Sequence, residues 1–374
     1  SADGRRPQVC RSARPCARPE PVGFDVTNWI KTSRQKEQDI ATLALWLLAE
    51  SPRARTGADI YFHNQAHNLL TGLLTHVLLA PEYAGERNLR GLRKLIATPK
   101  KTLQELLTRM YNEAGSDFVK ETVGVFITMP EDTFSSVHST AAKDTQWLSV
   151  PEYANLVCGN AFKATDIAHG AIDVFLNLST ETVKTDPGLA RVIVGALINA
   201  LMQANGAHKE RVLFLLDEVN LFGPMQTLET ARDEGRKYGV MLMMVYQSIG
   251  QLERHFGRDG KAAWFESASF IAFAAVNDLQ SAKEVSERCG QMTIEVEGSS
   301  RSVGLIGETG AGRTTTSRSY QKRPLLMPHE VMQDLRTDEQ IVFVAGRPPL
   351  RCGRALYFRR KDMNGLVGTN RYAR

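Results

Sequence analysis

Val212-Leu213-Phe214-Leu215-Leu216-Asp217-Glu218 is the stretch that decides the fold. Five apolar residues in a row, halted by two adjacent carboxylates, read as a strand buried in a sheet and ending at its carboxyl edge. Val240 to Tyr246 repeats the pattern and ends in Gln247. Asp173 to Leu178 and Phe270 to Val276 are further strand candidates. Helical spacing fills the gaps: a helix with Pro187 near its start, residues 226–238, a stretch reaching about Ser267, and Leu279 to Cys289. Strands alternating with amphipathic helices predict an α/β fold with a mostly parallel sheet and helices on both faces.

Ligands in open α/β sheets bind at the carboxyl ends of the strands. Asp217 is suited to hold Mg²⁺ through its water shell. Glu218 is suited to orient and polarise an attacking water. Two carboxylates and a metal make one half of a phosphoryl-transfer site. Gln247, on the neighbouring tip, could sense a γ-phosphate or that water. A strand that merely ends in a solvated acidic turn would look the same, and Gln247 would then be a simple polar strand end. Gly235-Arg236-Lys237-Tyr238-Gly239 closes the intervening helix. Arg236 either reaches a neighbouring subunit's nucleotide as an arginine finger or, with Lys237, caps the negative end of its own helix.

Outward from this centre, residues 37–148 carry leucines at helical spacing and no sustained alternation. Ile40, Leu43, Ala44, Leu47 and Leu48 form one such series, and Leu69, Leu70, Leu73, Leu74, Val77 and Leu78 another. They predict an all-helical domain. Residues 1–22, with arginines alternating with prolines and no apolar periodicity, predict a disordered start. Residues 298–321, rich in Gly, Ser, Thr and Arg, predict a flexible loop. Ile341 to Ala345 and Ala355 to Phe358, around Arg347-Pro348-Pro349, predict an edge hairpin.

The 374 residues suffice for two domains. The formal net charge of +5 hides an uneven distribution. Residues 1–22 hold five arginines against Asp3 and Glu20, and residues 347–374 hold eight Lys or Arg against Asp362. The body between therefore carries a net −5, so any nucleic-acid contact there needs a local patch. No apolar run approaches the roughly 18 residues of a membrane span. Five scattered cysteines with no C-x-x-C fit a reducing cytoplasm.

These motifs resemble the TraG-type coupling proteins of conjugative type IV secretion. The resemblance runs through Leu213-Phe214-Leu215-Leu216-Asp217-Glu218, Leu228-Glu229-Thr230-Ala231-Arg232-Asp233, Gly235-Arg236-Lys237-Tyr238-Gly239 and Tyr246-Gln247-Ser248-Ile249-Gly250-Gln251-Leu252. It continues in Phe256-Gly257-Arg258-Asp259-Gly260, in Arg323-Pro324-Leu325-Leu326 and in Arg347-Pro348-Pro349. In the helical region it covers Tyr61-Phe62, Asn68-Leu69-Leu70 and Lys143-Asp144-Thr145-Gln146-Trp147-Leu148. It spans roughly residues 24–362, with the blocks in the family's order.

The resemblance implies a RecA-like P-loop NTPase motor domain with an all-helical domain inserted, using ATP and Mg²⁺. It implies a homohexamer that receives a relaxase–DNA complex, pumps DNA and feeds a secretion channel from the cytoplasmic face of the bacterial inner membrane. The family's membrane anchor lies upstream of the matched region, and this chain, without a span, is expected in the cytoplasm. Asp217 and Glu218 then look like the Walker B pair, Gln247 like the sensor glutamine and Arg236 like the candidate arginine finger. The implied division is 23–36 leading into the motor, 37–148 helical, 149–362 motor and 363–374 tail.

One departure stands out. No G-x-x-x-x-G-K-[ST] loop precedes the acidic strand, and without its amides and lysine a triphosphate has little to hold it. Weak ATP binding and little hydrolysis by this chain alone are expected. A truncated, ATPase-inactive module that docks relaxase or other cargo is the alternative reading. Gly307-Glu308-Thr309-Gly310-Ala311-Gly312-Arg313-Thr314 mimics the missing loop but sits in the expected flexible segment, with Arg where Lys is needed. His63 and His67 share a helix face but lack the Glu and third ligand of a zinc site. The arginines after residue 350 are read as a basic solvated edge.

Overall fold

Leucine series at helical spacing build most of the first unit. The computed structural model describes residues 8–11, 22–48, 57–170, 172–204, 211–302 and 313–363. These fall into two compact units, residues 1–247 with 254–256, and residues 248–253 with 257–374.

In the first unit, β1 (Gln8–Arg11) precedes α1 (Asn28–Lys31), α2 (Lys36–Leu47), α3 (Gly57–Leu79), α4 (Leu89–Ile96), α5 (Lys100–Glu113), α6 (Asp117–Ile127), α7 (Glu131–Asp144) and α8 (Pro151–Cys158). The helices start where local chemistry says they should. Asn88 caps α4 by accepting from the Arg90 and Gly91 amides (2.9 and 3.2 Å), and Pro151 opens α8. The block Lys143 to Ser149 is fixed from α4: Arg90 donates to the Leu148 carbonyl (2.6 Å) and Arg93 to the Ala142 carbonyl and Ser149 hydroxyl (2.9 and 2.8 Å). Then follow β2 (Val174–Asn177), α9 (Thr180–Thr185), α10 (Pro187–Gln203), β3 (Val212–Leu216), α11 (Gln226–Glu234) and β4 (Val240–Met244).

α10 is buried almost all round, from Gly188 to Leu201, as its unbroken apolar sequence requires. Gly195 lies against the Trp46 indole so closely that an added Cβ would sit 2.7 Å from the ring. Trp46 in turn donates to Thr227 Oγ1 at the start of α11 (3.0 Å). Helical region and sheet region thus share a core within this unit.

β3 and β4 pair in parallel, Val212 against Val240 through Leu216 against Met244. One face is covered: Phe214, Leu216 and Val240 are buried. The other is open, with Leu213, Leu215, Met241 and Met243 between 42 and 60% exposed. β1 and β2 also pair in parallel, so Gln8–Arg11 is strand rather than part of an irregular start. An open β2 edge accepts any extended backbone that reaches it. Residues 1–7 and 12–21, the rest of the expected disordered start, lie outside the described residues.

α12 (Ile249–Ser267) is kinked at Gly257, where φ is 69°. In the second unit it is followed by β5 (Phe270–Ala274), α13 (Leu279–Cys289), β6 (Gln291–Ser302), β7 (Arg313–Pro324), α14 (Pro328–Gln333), β8 (Glu339–Val344) and β9 (Leu350–Gly353). β5, β8 and β9 form an antiparallel sheet. Its core gathers Val276, Ala282, Val285, Cys289, Val331 and Ile341.

Two expectations are corrected here. Residues 298–302 and 313–321 are not a flexible loop but the distal part of an antiparallel ribbon, β6 with β7. Their backbone groups pair across the ribbon, which composition alone does not reveal. The last hairpin closes with Leu350–Gly353, whereas Ala355 to Phe358 runs into a 3₁₀ turn at Tyr357–Arg359. Gly346, at φ 75°, makes the reversal that brings β9 back early.

Candidate active site

The parallel pairing of β3 and β4 carries both carboxyl ends to one edge. The ladder runs one bond past the strands, because Val245 N–H donates to the Leu216 carbonyl (2.9 Å). Asp217 follows directly on β3, and Gln247 lies three residues beyond the end of β4. Both are exposed.

The chain turns sharply after β3. Glu218 adopts the left-handed conformation, φ 49° and ψ 36°. Its amide donates to Asp217 Oδ1 (2.9 Å), and its carbonyl accepts from Leu221 N–H (2.9 Å). This bond occupies Asp217 Oδ1, while Asp217 Oδ2 makes no hydrogen bond or ion pair among the described residues. The half-buried Glu218 makes no side-chain hydrogen bond or ion pair among the described residues. Two acceptor groups, only one of them committed to backbone, suit a hydrated Mg²⁺ at Asp217 and a water at Glu218. Among the described residues, no group of three or more His, Cys, Asp or Glu is arranged to hold a metal, so such an ion would rest mainly on its own waters. On the phosphate side, the Glu218 amide already belongs to Asp217, and no G-x-x-x-x-G-K-[ST] motif stands before the acidic strand in the given sequence.

Arg236 is placed apart from the other three. It precedes β4, in a 3₁₀ turn at Gly235–Tyr238 that Gly239 ends with φ 73°. The Gly239 carbonyl accepts from Val212 N–H (2.9 Å), so this turn lies at the amino ends of the strands. Asp217 and Gln247 lie at the carboxyl ends, about 15 Å away along five residues of strand. Arg236 is exposed and makes no ion pair among the described residues, while neighbouring Lys237 pairs with Glu234 (2.6 Å).

Sequence reading missed Asn220 and His255. His255 Nε2 donates to Asn220 Oδ1 (2.8 Å), pinning the turn that carries Glu218. Burial pushes the imidazole below its ordinary value, opposed in part by the backbone of Asn220 and reinforced by the charge of Arg254. A lone histidine 35 residues from its partner leaves no sequence signal. Tyr246, beside Gln247, is likewise driven upward by burial and stays a neutral phenol.

Elsewhere the rejected motifs have structural uses. His67 donates to the Ala41 carbonyl (2.8 Å). Arg351 pairs with Glu339 (2.7 Å), Arg359 with Asp338 (3.0 Å) and Arg360 with Asp362 (2.6 Å). Gly307 to Gly312 lies outside the described residues, and Arg313 and Thr314 stand in β7. No helix among the described residues is long and apolar enough to cross a membrane. Cys158, Cys289 and Cys352 are free thiols, and burial raises the first to about 11.

A family model described as type IV secretory system conjugative DNA transfer matches residues 23–373. The type IV secretion system-coupling protein VirD4 of Bartonella quintana is 48% identical over 355 residues, covering 94% of this chain and 55% of that protein. The conjugal transfer protein TraG of Agrobacterium fabrum is 45% identical over 379 residues, covering 98% of this chain and 57% of that protein. The chain thus spans a little over half the length of these curated relatives. Among solved structures, the unbound conjugative coupling protein TrwBdeltaN70 superimposes with a TM-score of 0.65 at 15% identity, over 93% of this chain and 74% of that one. TrwB in complex with ADP and Mg²⁺ matches with a TM-score of 0.64 at 15% identity, over 93% and 73%. The fold described above is therefore the RecA-like one of that structure.

Proposed function

This chain belongs to the type IV secretory system conjugative DNA transfer family, the TraG-type coupling proteins, and from that premise we propose that it is the motor region of an ATP-driven DNA translocase. Its cargo is a relaxase–DNA complex, and its outlet a type IV secretion channel at the cytoplasmic face of the inner membrane. Residues 23–36 and 149–362 form the motor and 37–148 an inserted helical domain. The carrying observation is the strand edge itself: Glu218, whose side chain has no partner among the described residues, and Asp217, with one oxygen committed to the Glu218 amide, on one tip, with Gln247 on the next.

In this reading Asp217 holds the hydration shell of Mg²⁺, which when bound neutralises charge on the phosphates. Glu218 accepts a hydrogen bond from the attacking water and draws on its proton. Gln247 registers the γ-phosphate or the same water. The distance of Arg236 from these groups makes it useful only to a neighbouring copy, in keeping with a homohexamer. A docking module for relaxase or other cargo that turns over no ATP is the second reading.

Titration of the purified chain with a fluorescent ATP analogue separates the two. The motor reading expects weak, Mg²⁺-dependent binding, of about millimolar strength, that Asp217→Ala removes. Phosphate release should stay near background in both wild type and Glu218→Gln. Binding indifferent to Mg²⁺ and to Asp217→Ala would leave only the docking module. Substantial Glu218-dependent turnover would show instead that this chain needs no cradle from elsewhere.

A further inference from the structure

β8 and β9 form a hairpin, from Glu339 against Gly353 to Val342 against Leu350. The chain beyond it is strapped back onto the turn that leads into β8. Arg354 N–H donates to the Asp338 carbonyl (2.7 Å), and its guanidinium to the Thr337 carbonyl (3.1 Å). Arg359 reaches Asp338 Oδ2 (3.0 Å), a carboxylate that Arg336 already holds with two bonds (3.0 and 2.9 Å). Arg351 pairs with Glu339 (2.7 Å). Four guanidinium groups thus gather around two carboxylates, and cation is in surplus. Residues 334–339 and 347–363 together hold seven Lys or Arg against Asp334, Asp338, Glu339 and Asp362, a net of +3. The rest of residues 23–346 carries a net −3. An anionic polymer repelled by that body meets attraction here.

The 3₁₀ turn Tyr357–Arg359 sets two aromatic rings in this basic surface. Tyr357 is 41% exposed and Phe358 64%, and the rings meet edge to face with 5.4 Å between their centres. Neither belongs to the core of this unit. The Arg359 guanidinium lies 5.9 Å from the Phe358 ring centre. Next along the chain, Arg360 pairs with Asp362 (2.6 Å), while the exposed Lys361 has no partner among the described residues. Open rings flanked by cations offer a π face to a base and a charge to the phosphate beside it. Duplex DNA keeps its bases stacked on one another, so the rings suit a single strand.

We propose that the strapped segment 354–361 is a stacking platform for single-stranded DNA. Tyr357 and Phe358 take bases, and Arg354 and Lys361 meet backbone phosphates, without reading sequence. This rests on the reading that the transported polymer is DNA.

The test is anisotropy of a labelled single-stranded oligonucleotide bound by the full chain across a KCl series. One variant removes the rings, Tyr357→Ala with Phe358→Ala, and another the charges, Arg354→Gln with Lys361→Gln. A charge-matched control carries Arg34→Gln with Lys101→Gln, two exposed cations of the first unit. Circular dichroism melts verify folding, and Phe358→Ala alone replaces the ring variant if that one melts early. The ring variant should bind roughly tenfold more weakly with its salt slope unchanged. In the charge variant the slope of log affinity against log salt should fall by about 1.4, as for two lost phosphate contacts on a single strand. A ring or charge variant that loses no more affinity than the control would overturn the platform. Flotation with phosphatidylglycerol vesicles covers a membrane role: variants that lose vesicle binding while keeping DNA affinity would make the segment a lipid contact instead. Wild-type chain that binds no single-stranded DNA would remove both the platform and the DNA-pumping reading, whereas wild-type-like binding by both variants removes the platform alone.

Discussion

Glu218 holds a backbone conformation, φ 49° and ψ 36°, that costs an L-residue about 1–2 kcal/mol. The strain survives because the turn is held on both sides, by Asp217 Oδ1 on its amide and by Asn220 with His255 just beyond. Strained residues of this kind cluster where a side chain must be aimed. Asn tolerates the left-handed region and a β-branched residue does not. Glu218→Asn should therefore leave stability nearly unchanged, and Glu218→Val should cost about 1–2 kcal/mol in urea denaturation. Equal stability of the two variants would mean that the turn is not left-handed in solution.

Along β3, alternate residues have opposite fates. Phe214 is 8% exposed and packs on the covered face, whereas Leu215, next to it, is 60% exposed. Parallel strands are usually covered on both faces and read as continuous apolar runs for that reason. Phe214→Ala should destabilise by about 3–5 kcal/mol, transfer and cavity together. Leu215→Ser should cost less than about 1 kcal/mol, since the side chain loses little packing. Chemical denaturation of both variants checks the contrast. A large loss at Leu215 would show that this face is covered in solution, for example by self-association, and a concentration series would reveal it.

Stability as a function of pH belongs to the whole molecule. Burial holds His255 and His76 below the ordinary histidine value. Asn220 opposes it at His255, and Glu82 opposes it at His76 while Arg109 adds to it. The unfolded chain therefore takes up protons first, at about pH 6.5. The sign follows: stability is complete above that pH and declines as pH falls below it. Asp39 and Asp186, raised by burial, act in the opposite sense but only nearer the carboxylate range. Melting temperature should drop between about pH 6.5 and 5. A variant with His76→Gln and His255→Gln should show a shallower drop. An unchanged slope would place the acid sensitivity elsewhere.

Much of this was legible in order along the chain. The β3 and β4 runs, their polar ends at Asp217, Glu218 and Gln247, and the helices from Ile40 onward follow from apolar period. The quoted motif blocks pointed to the family that the comparisons bear out. Period is a local property, set by which residues face the core three, four or two places apart. What tertiary structure decided is of another kind. It turned the Ser- and Thr-rich segment around residue 300 into a paired ribbon and put Arg236 at the far end of the strands from Asp217. It set Glu218 in a strained turn, bolted that turn with His255, and left one face of β3 and β4 open. Each of these depends on which distant backbone or side chain becomes a neighbour, and no periodicity along a single chain encodes that.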